Sequence, residues 1–456
     1  MLTLVAILAF VVVVGFVVFD EITSPASAAL WLPVIWLSLA GSRMVSEWLG
    51  VSGSDASMQE GSPVDRDFLL VVLGIALSIL IARRRRVREV FRANWPILLY
   101  LSYCLVSILW SDFPDVAFKR WFKALGDLMM VLLVVTDVRP IAAIKRVLTR
   151  TGFFLIPTSF VLIYFLHKGR TYSPWGEPTY TGITTNKNML GLDCLVFGLG
   201  YAWCFVCEWV GRRQHGRTKT LLVNGALFAM SVWLLVVGSM MTCLVCLLLG
   251  SGIIALTNRF RFARKPWLIT GLLLLTVGVA ISAIFFNVGL VEKLGRDPTL
   301  TGRTEIWHEV IELAPNRYIG AGFESFWLGK RLEIIWSRHW WLPNEAHNGY
   351  LEVYANLGYC GAALLAFLLW TAYRKALKNL RRAPILGSIG MAYFFVITIY
   401  SLTEAGFRIM DPIWVLFIWT LLVMPVPTAK ARPKKAEEKS VVEENPYLLV
   451  SPGALR

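Results

Sequence analysis

His347 lies in Asn344-Glu345-Ala346-His347-Asn348-Gly349-Tyr350-Leu351, where a polar stretch enters a long apolar run. An imidazole changes charge near neutral pH, so at a membrane boundary it can take or hold a proton for a substrate with a lipid tail and a polar head. Helix capping is the plainer use of such a cluster, with Asn and His satisfying the free N–H groups of a helix start. The residues by themselves leave both uses open. Arg303, in Thr301-Gly302-Arg303-Thr304-Glu305, offers a guanidinium that keeps its charge and grips phosphate oxygens two at a time. Arg296, Lys330, Arg331 and Arg338 share that polar stretch, and pairing with its own acidic residues is the simpler account of those four. Asn186-Lys187-Asn188 opens another apolar run with two amides and a cation, a helix-start position that favours anions. Capping explains one Asn there, not two with a lysine. Trp110-Ser111-Asp112-Phe113-Pro114 with Lys119 and Arg120 is a less specific cluster. Among the carboxylates inside apolar runs, Asp127, Asp193, Glu208 and Glu404 are costly in lipid and are expected to face the bundle interior. Glu404 is the best functional candidate of the four, and an ion pair with nearby Arg408 is the simpler reading of it.

The elements that must position these groups are set by an apolar chain. Of 456 residues 56% are hydrophobic and 16% charged, with 19 Trp and 26 Phe, against roughly 45–50% and about 25% in soluble proteins. That excludes an ordinary globular domain. The net charge of +15 does not indicate nucleic-acid binding, because the basic residues fall in short blocks between apolar runs. Spans are expected near 1–19, 28–41, 68–82, 95–110, 121–136, 151–167, 188–210, 220–238, 240–256, 266–287, 350–372, 385–404 and 409–424. Alternate connections together with the C-terminal tail hold 29 of the 45 Lys and Arg, which places those connections in the cytoplasm. The loops at 42–67, 111–120, 168–187, 288–346 and 405–411 then lie outside. The expected fold is all-α, a polytopic transmembrane helix bundle of 12–13 spans with one large extracytoplasmic loop containing short helices. Residues 1–287 hold the N-terminal helices, 288–346 the loop, 347–424 the C-terminal helices and 425–456 a disordered cytoplasmic tail. Within the loop, Ile306, Val310 and Leu313 recur at helical spacing over Gly302–Leu313, with Thr301 as N-cap and Pro315 as the stop. Cys204, Cys207, Cys243 and Cys246 have the spacing of metal knuckles but lie in apolar runs without partner ligands, so they read as core residues.

Taken in order, the motifs resemble the O-antigen ligase and polymerase superfamily of bacterial membrane glycosyltransferases. The resemblance spans roughly residues 100–425. It rests on Trp110-Ser111-Asp112 with Pro114, on Gly182 through Asn188 with Gly191, on Thr301-Gly302-Arg303 with Trp307, on Gly320-Ala-Gly322, and on Glu345-Ala-His347-Asn348 with Tyr350-Leu351, Gly358 and Gly361. Trp31 to Trp36, followed by Gly41-Ser42-Arg43, looks closest to the exopolysaccharide polymerases of the succinoglycan type. One departure is Gly238-Ser239-Met240-Met241, where members of the family usually carry Arg or Lys after the serine.

The resemblance implies an enzyme of the bacterial inner membrane with its active site facing the periplasm and its C-terminus in the cytoplasm. Its donor is a polyprenyl-diphosphate-linked glycan and its acceptor a glycan or lipid-linked sugar, among membrane lipid and with a chain-length regulator as a partner protein. Arg303 and Lys187 would neutralise the leaving diphosphate, and His347 would orient or deprotonate the acceptor hydroxyl, with Asn186, Asn188, Arg120, Asn348, Glu345, Glu404 and Arg408 binding substrate. No metal or cofactor is expected, since the outer loops show no carboxylate pair at ligand spacing. A ligase that moves finished glycan to lipid A core is the alternative. A transporter is a lesser one, because neither internal repeat nor symmetry is visible.

Overall fold

The computed structural model describes residues 27–51, 62–172, 176, 178–211, 217–285 and 300–422. The expected span 1–19 and the tail from 425 lie outside the described residues. Each of the other twelve expected spans coincides with a helix. These are α1 (Trp31–Ala40), α2 (Pro63–Ala82), α4 (Trp95–Val106), α5 (Pro114–Val135), α6 (Pro140–Tyr164), α7 (Lys187–Val210), α8 (Arg217–Val237), α9 (Met241–Arg259), α10 (Pro266–Phe285), α13 (Gly349–Arg382), α14 (Pro384–Tyr400) and α15 (Pro412–Leu421). Between them lie α3 (Arg84–Ala93), α11 (Leu300–Glu312), α12 (Gly329–Arg338) and a two-stranded antiparallel ribbon, Arg170–Tyr172 with Pro178–Tyr180. Proline punctuates the chain: it occupies the first or second position of α2, α4, α5, α6, α14 and α15, where its fixed φ suits a helix start and no N–H is missed.

The chain is a multi-pass membrane protein. Among the described residues α6 to α10 and α13 are long and apolar enough to cross a membrane, and α3 with α4 makes a seventh candidate bent by 89°. Ala28–Ala40, α14 and α15 are shorter apolar helices. The apolar stretch of α7 is 89% buried and that of α10 only 6%, so α7 is the centre of the bundle and α10 faces lipid. The acidic residues inside helices turn inward as their cost in lipid requires. Asp127 accepts from Trp36 Nε1 (2.8 Å) and the Met410 N–H (2.9 Å), and Glu208 pairs with Lys145 (2.9 Å). The cysteines of the two CxxC sequences are buried and form no disulfide among the described residues.

Several boundaries differ from expectation, those of α6 and α11 among them. Helix α6 starts at Pro140, eleven residues before the expected span, because Arg146 and Arg150 are buried along it and the Arg150 guanidinium stacks on Trp31 at 4.6 Å. Helix α11 starts at Leu300, so Thr301 lies inside it and not at the N-cap.

Helix α13 is broken. Gly358 has φ 63° and ψ −164°, and the loop segment 317–322 fills the gap. The N–H groups of Ala321 and Gly322 donate to the carbonyls of Ala355 and Asn356 (3.0 and 2.8 Å), and those of Tyr359 and Cys360 donate to Arg317 and Tyr318 (2.8 and 3.0 Å). Backbone groups freed by the break are thereby satisfied, as membrane burial demands. The break also redirects the helix. Tyr350 Oη donates to the Thr398 carbonyl, and the backbone of Gly387 lies against that of Leu380. Along α13 these contacts are separated by roughly 45 Å of straight helix, along α14 by only roughly 17 Å, so α13 turns at Gly358.

A Cβ on Gly358 would lie 2.2 Å from the Tyr318 carbonyl carbon, and the φ and ψ of Gly358 fall in a region open essentially to glycine that costs other residues about 1–3 kcal/mol by itself. Gly358→Ala is expected to lower the thermal midpoint in detergent and the folded yield. Gly278→Ala, with nothing within 4 Å of the new methyl, is expected to change neither.

Candidate active site

Three distant segments meet at the end of the bundle that carries the loop. The N–H of Gly349, the first residue of α13, donates to the carbonyls of Ser401 (2.8 Å) and Glu404 (3.0 Å). Gly349 permits this approach, since a Cβ there would lie 2.9 Å from Phe407. Helix α11 comes down from the other side on a small core separate from that of the bundle. Ile306, Val310, Ala321, Phe326, Ile335, Ala346 and Ala355 are buried in it, with Leu313 packed against it. The expected amphipathic face of α11 is thus the face that docks.

At the junction five charged side chains form one chain of contacts. Arg408 Nη1 meets Glu345 Oε2 at 2.5 Å, and Glu345 Oε1 meets His347 Nδ1 at 2.9 Å. His347 Nδ1 also meets Glu404 Oε2 at 3.2 Å, and Glu404 Oε1 meets Arg303 Nη2 at 3.1 Å. Arg303 Nη1 donates in addition to the Thr403 carbonyl (2.5 Å). Sharing Nδ1 between two carboxylates requires a proton on that nitrogen, so Nε2 is the ring nitrogen that neither carboxylate engages. His347 has φ 49°, a left-handed backbone uncommon outside glycine that the surrounding bonds hold in place.

Burial by itself would lower the His347 pKa, but hydrogen bonds and charge from Glu345 and Glu404 raise it to about 9. Burial would raise that of Glu345, yet His347 and Arg408 hold it down to about 2. Arg408 is held more firmly protonated than usual by Glu345, Glu324 and Glu352, against its own desolvation.

Other groups brace this row. Trp307 Nε1 donates to the Ala346 carbonyl (2.8 Å), and the Ala346 N–H donates to Glu352 Oε1. Buried Glu352 also accepts from Trp327 Nε1 at 3.0 and 2.9 Å. The Trp341 ring lies 5.9 Å from that of His347 and tilts 30° to it.

Several sequence-predicted roles change. Arg408 pairs with Glu345, not with Glu404, because Arg303 and His347 already hold both Glu404 oxygens. Asn348 is a helix cap whose Oδ1 accepts from the Tyr350 and Leu351 N–H groups (3.1 Å each). Asn186 likewise caps α7 through the Met189 N–H (2.9 Å), with Lys187 in the first turn and Asn188 exposed. Arg120 donates to the Glu324 carbonyl. Trp110 to Phe113 dock the loop: Trp110 Nε1 donates to the Ile319 carbonyl (3.1 Å), Ser111 Oγ meets Ser325 Oγ (2.7 Å), and Asp112 pairs with Arg331 (2.8 Å). Met240, at the position of the missing cation, is buried against Gly191.

The outer loops were expected to hold no carboxylate pair at ligand spacing, and the pair that does form is brought together by the fold. Glu345, His347 and Glu404 each offer a ligand atom, all within 4.8 Å of one another. Glu345 and Glu404 are 59 residues apart, so no spacing rule finds them. Glu352 is a further buried acid of this place that no sequence motif marks.

Residues 225–366 match the O-antigen ligase family. The exopolysaccharide production protein ExoQ of Rhizobium meliloti (strain 1021) is 26% identical over 329 residues, covering 68% of this chain and 72% of that protein. The chain is thus similar to proteins of the O-antigen ligase and exopolysaccharide-production type. The stretch matched to the O-antigen ligase family contains Arg303, Glu345, His347 and Glu352, and the break at Gly358. Glu404 and Arg408, which complete the row of charges, lie beyond it.

An unfolded histidine titrates near 6.5 and the folded His347 at about 9. Its ion pairs therefore contribute stability that is complete below about pH 6.5 and is lost as pH rises through about 9. The gap in thermal midpoint between the wild type and His347→Gln, followed in detergent from about pH 6 to about pH 10, is expected to shrink across that window. A gap independent of pH would show that His347 does not titrate there.

Proposed function

We propose that the chain is a glycosyltransferase that polymerises polyprenyl-diphosphate-linked oligosaccharide units on the outer face of the inner membrane, with its C-terminus in the cytoplasm. The convergence of Arg303, Glu345, His347, Glu404 and Arg408 from three distant segments carries this reading. The similarity to an exopolysaccharide production protein favours polymerase over ligase. A chain-length regulator is the partner protein that a polymerase of this kind would work with.

In the proposed reaction the acceptor hydroxyl oxygen attacks the anomeric carbon of the donor glycan. The bond from that carbon to the diphosphate oxygen breaks, the configuration inverts, and polyprenyl diphosphate leaves with the electron pair. The hydroxyl proton goes to His347 Nε2, and Glu345 and Glu404 stabilise the imidazolium through Nδ1–H, as carboxylates do for other catalytic histidines. Arg303 and the partly exposed Arg408 face the charge that grows on the leaving group. Arg120, and Lys187 at the start of α7, extend the cationic surface available to a diphosphate.

Transfer in this scheme is independent of metal. Glu345 and Glu404 are each already ion-paired to a guanidinium, and Nδ1 carries the proton they share, so a cation at these ligand atoms would have to displace three positive neighbours. The cost rises further in a partly buried site.

His347→Ala and Arg303→Ala are each expected to abolish long chains when expressed in a strain lacking its own polymerase, with lipid-linked glycan sized on gels. Normal chain lengths from both variants would overturn the site assignment. Whole-glycan transfer to a new acceptor, without chain extension, would identify a ligase. Activity of the purified wild type is expected to rise with pH towards about 9, as the neutral form of His347 becomes populated. A rate that falls over that range would instead make the imidazolium the working form.

A further inference from the structure

Far from the charged row, at the other end of α13, the chain carries a second cationic feature that glycan transfer does not use. Arg374, Lys378, Arg381 and Arg382 are exposed on one face and, with Leu377, line an open cavity of about 570 Å³. Arg374 and Lys378, and Lys378 and Arg382, are spaced i,i+4, the arrangement in which like charges oppose helix formation. No described residue forms an ion pair with any of the four, and between Glu352 and Glu404 the chain has no acidic residue. The neighbouring helix α3 adds five arginines and a single acid, Glu89. Lys375, one residue round the helix, is committed elsewhere: its Nζ reaches Asn94 Oδ1 (2.6 Å) and the Ala93 carbonyl (3.2 Å), tying α13 to the end of α3.

The apolar side of the same place is built as well. Trp95, Phe367 and Trp370 follow one another at centroid distances of 5.7 and 6.1 Å, and both tryptophans are more than half exposed. The Arg374 guanidinium sits 5.0 Å over the Trp370 ring. Aromatic residues of this kind mark the boundary between hydrocarbon and headgroups, and basic residues just beyond them meet lipid phosphates.

We propose that this face of α13 binds the headgroup of an anionic phospholipid. The phosphates sit among Arg374, Lys378, Arg381 and Arg382, and the acyl chains lie along Trp370, Phe367 and Trp95. The other candidate to cover the face is the chain's own tail, which starts where α15 ends, beside Lys375 Nζ (3.4 Å to the Leu421 carbonyl). That tail carries more Lys and Arg than Asp and Glu, so it does not supply the missing negative charge.

Native mass spectrometry of the full-length protein in detergent tests this, with added diphosphatidylglycerol, phosphatidylglycerol or phosphatidylcholine as probes. The wild type is expected to retain the two anionic lipids and release phosphatidylcholine. The variant combining Arg374→Gln, Lys378→Gln, Arg381→Gln and Arg382→Gln is expected to weaken anionic-lipid binding on the order of a thousandfold. Its thermal midpoint in lipid-free detergent is expected to stay unchanged or rise, which separates a lost site from a lost fold. Equal retention of the anionic lipids by the variant, or of phosphatidylcholine by the wild type, would overturn the proposal. So would anionic lipid binding that appears only after the chain is cut after Pro425, since the tail would then be the occupant.

Discussion

One nitrogen atom organises the functional end of this protein. His347 Nδ1 lies between Glu345 and Glu404, each carboxylate reaches on to an arginine, and the row Arg408, Glu345, His347, Glu404, Arg303 alternates in sign along its length. Alternation lets five charged groups sit together in a half-buried place, because each one's desolvation is offset by opposite charge on its neighbours. Breaking one contact leaves two groups uncompensated, and the segments they hold lose their mutual position. The α14–α15 connection, the entry to α13 and the start of α11 are located by this row as much as by packing.

The row depends in turn on a stiff platform. Glu352, one turn into α13, holds the Ala346 N–H and Trp327 and so fixes the turn in which His347 takes its left-handed backbone. Trp327 belongs to the loop whose earlier segment is laced into the break at Gly358. A polar site is thus built on a helix that has been cut and mended with loop backbone. Broken helices are common in transporters, where they line a substrate site. Here the backbone groups freed by the break are taken up by protein, and no passage is needed to explain them.

Much of this was legible in the sequence because hydrocarbon allows few solutions. Apolar runs and basic blocks located the helices, and the unusual polar residues at loop edges were the right ones to suspect. Pairing was not legible. Arg408 stands four residues from Glu404, yet its partner is Glu345, since the turn at 401–406 carries the Glu404 side chain towards His347 and Arg303. For the amides of Asn186 and Asn348 capping and binding both stood open, because the two uses ask for the same residue at the same place, and the structure shows the caps. Gly358 left no mark in the hydropathy pattern, because a break supported by loop backbone preserves the apolar face on both sides.

The interlacing at Gly358 also orders events in time. Residues 317–322 are made 38 positions before residues 355–360, their hydrogen-bonding partners. At about 5–20 residues per second, the loop spends roughly two to eight seconds of synthesis with its backbone unpaired. Only when the following helix has been inserted into the membrane can the loop take its final form, so the site is completed from its C-terminal side.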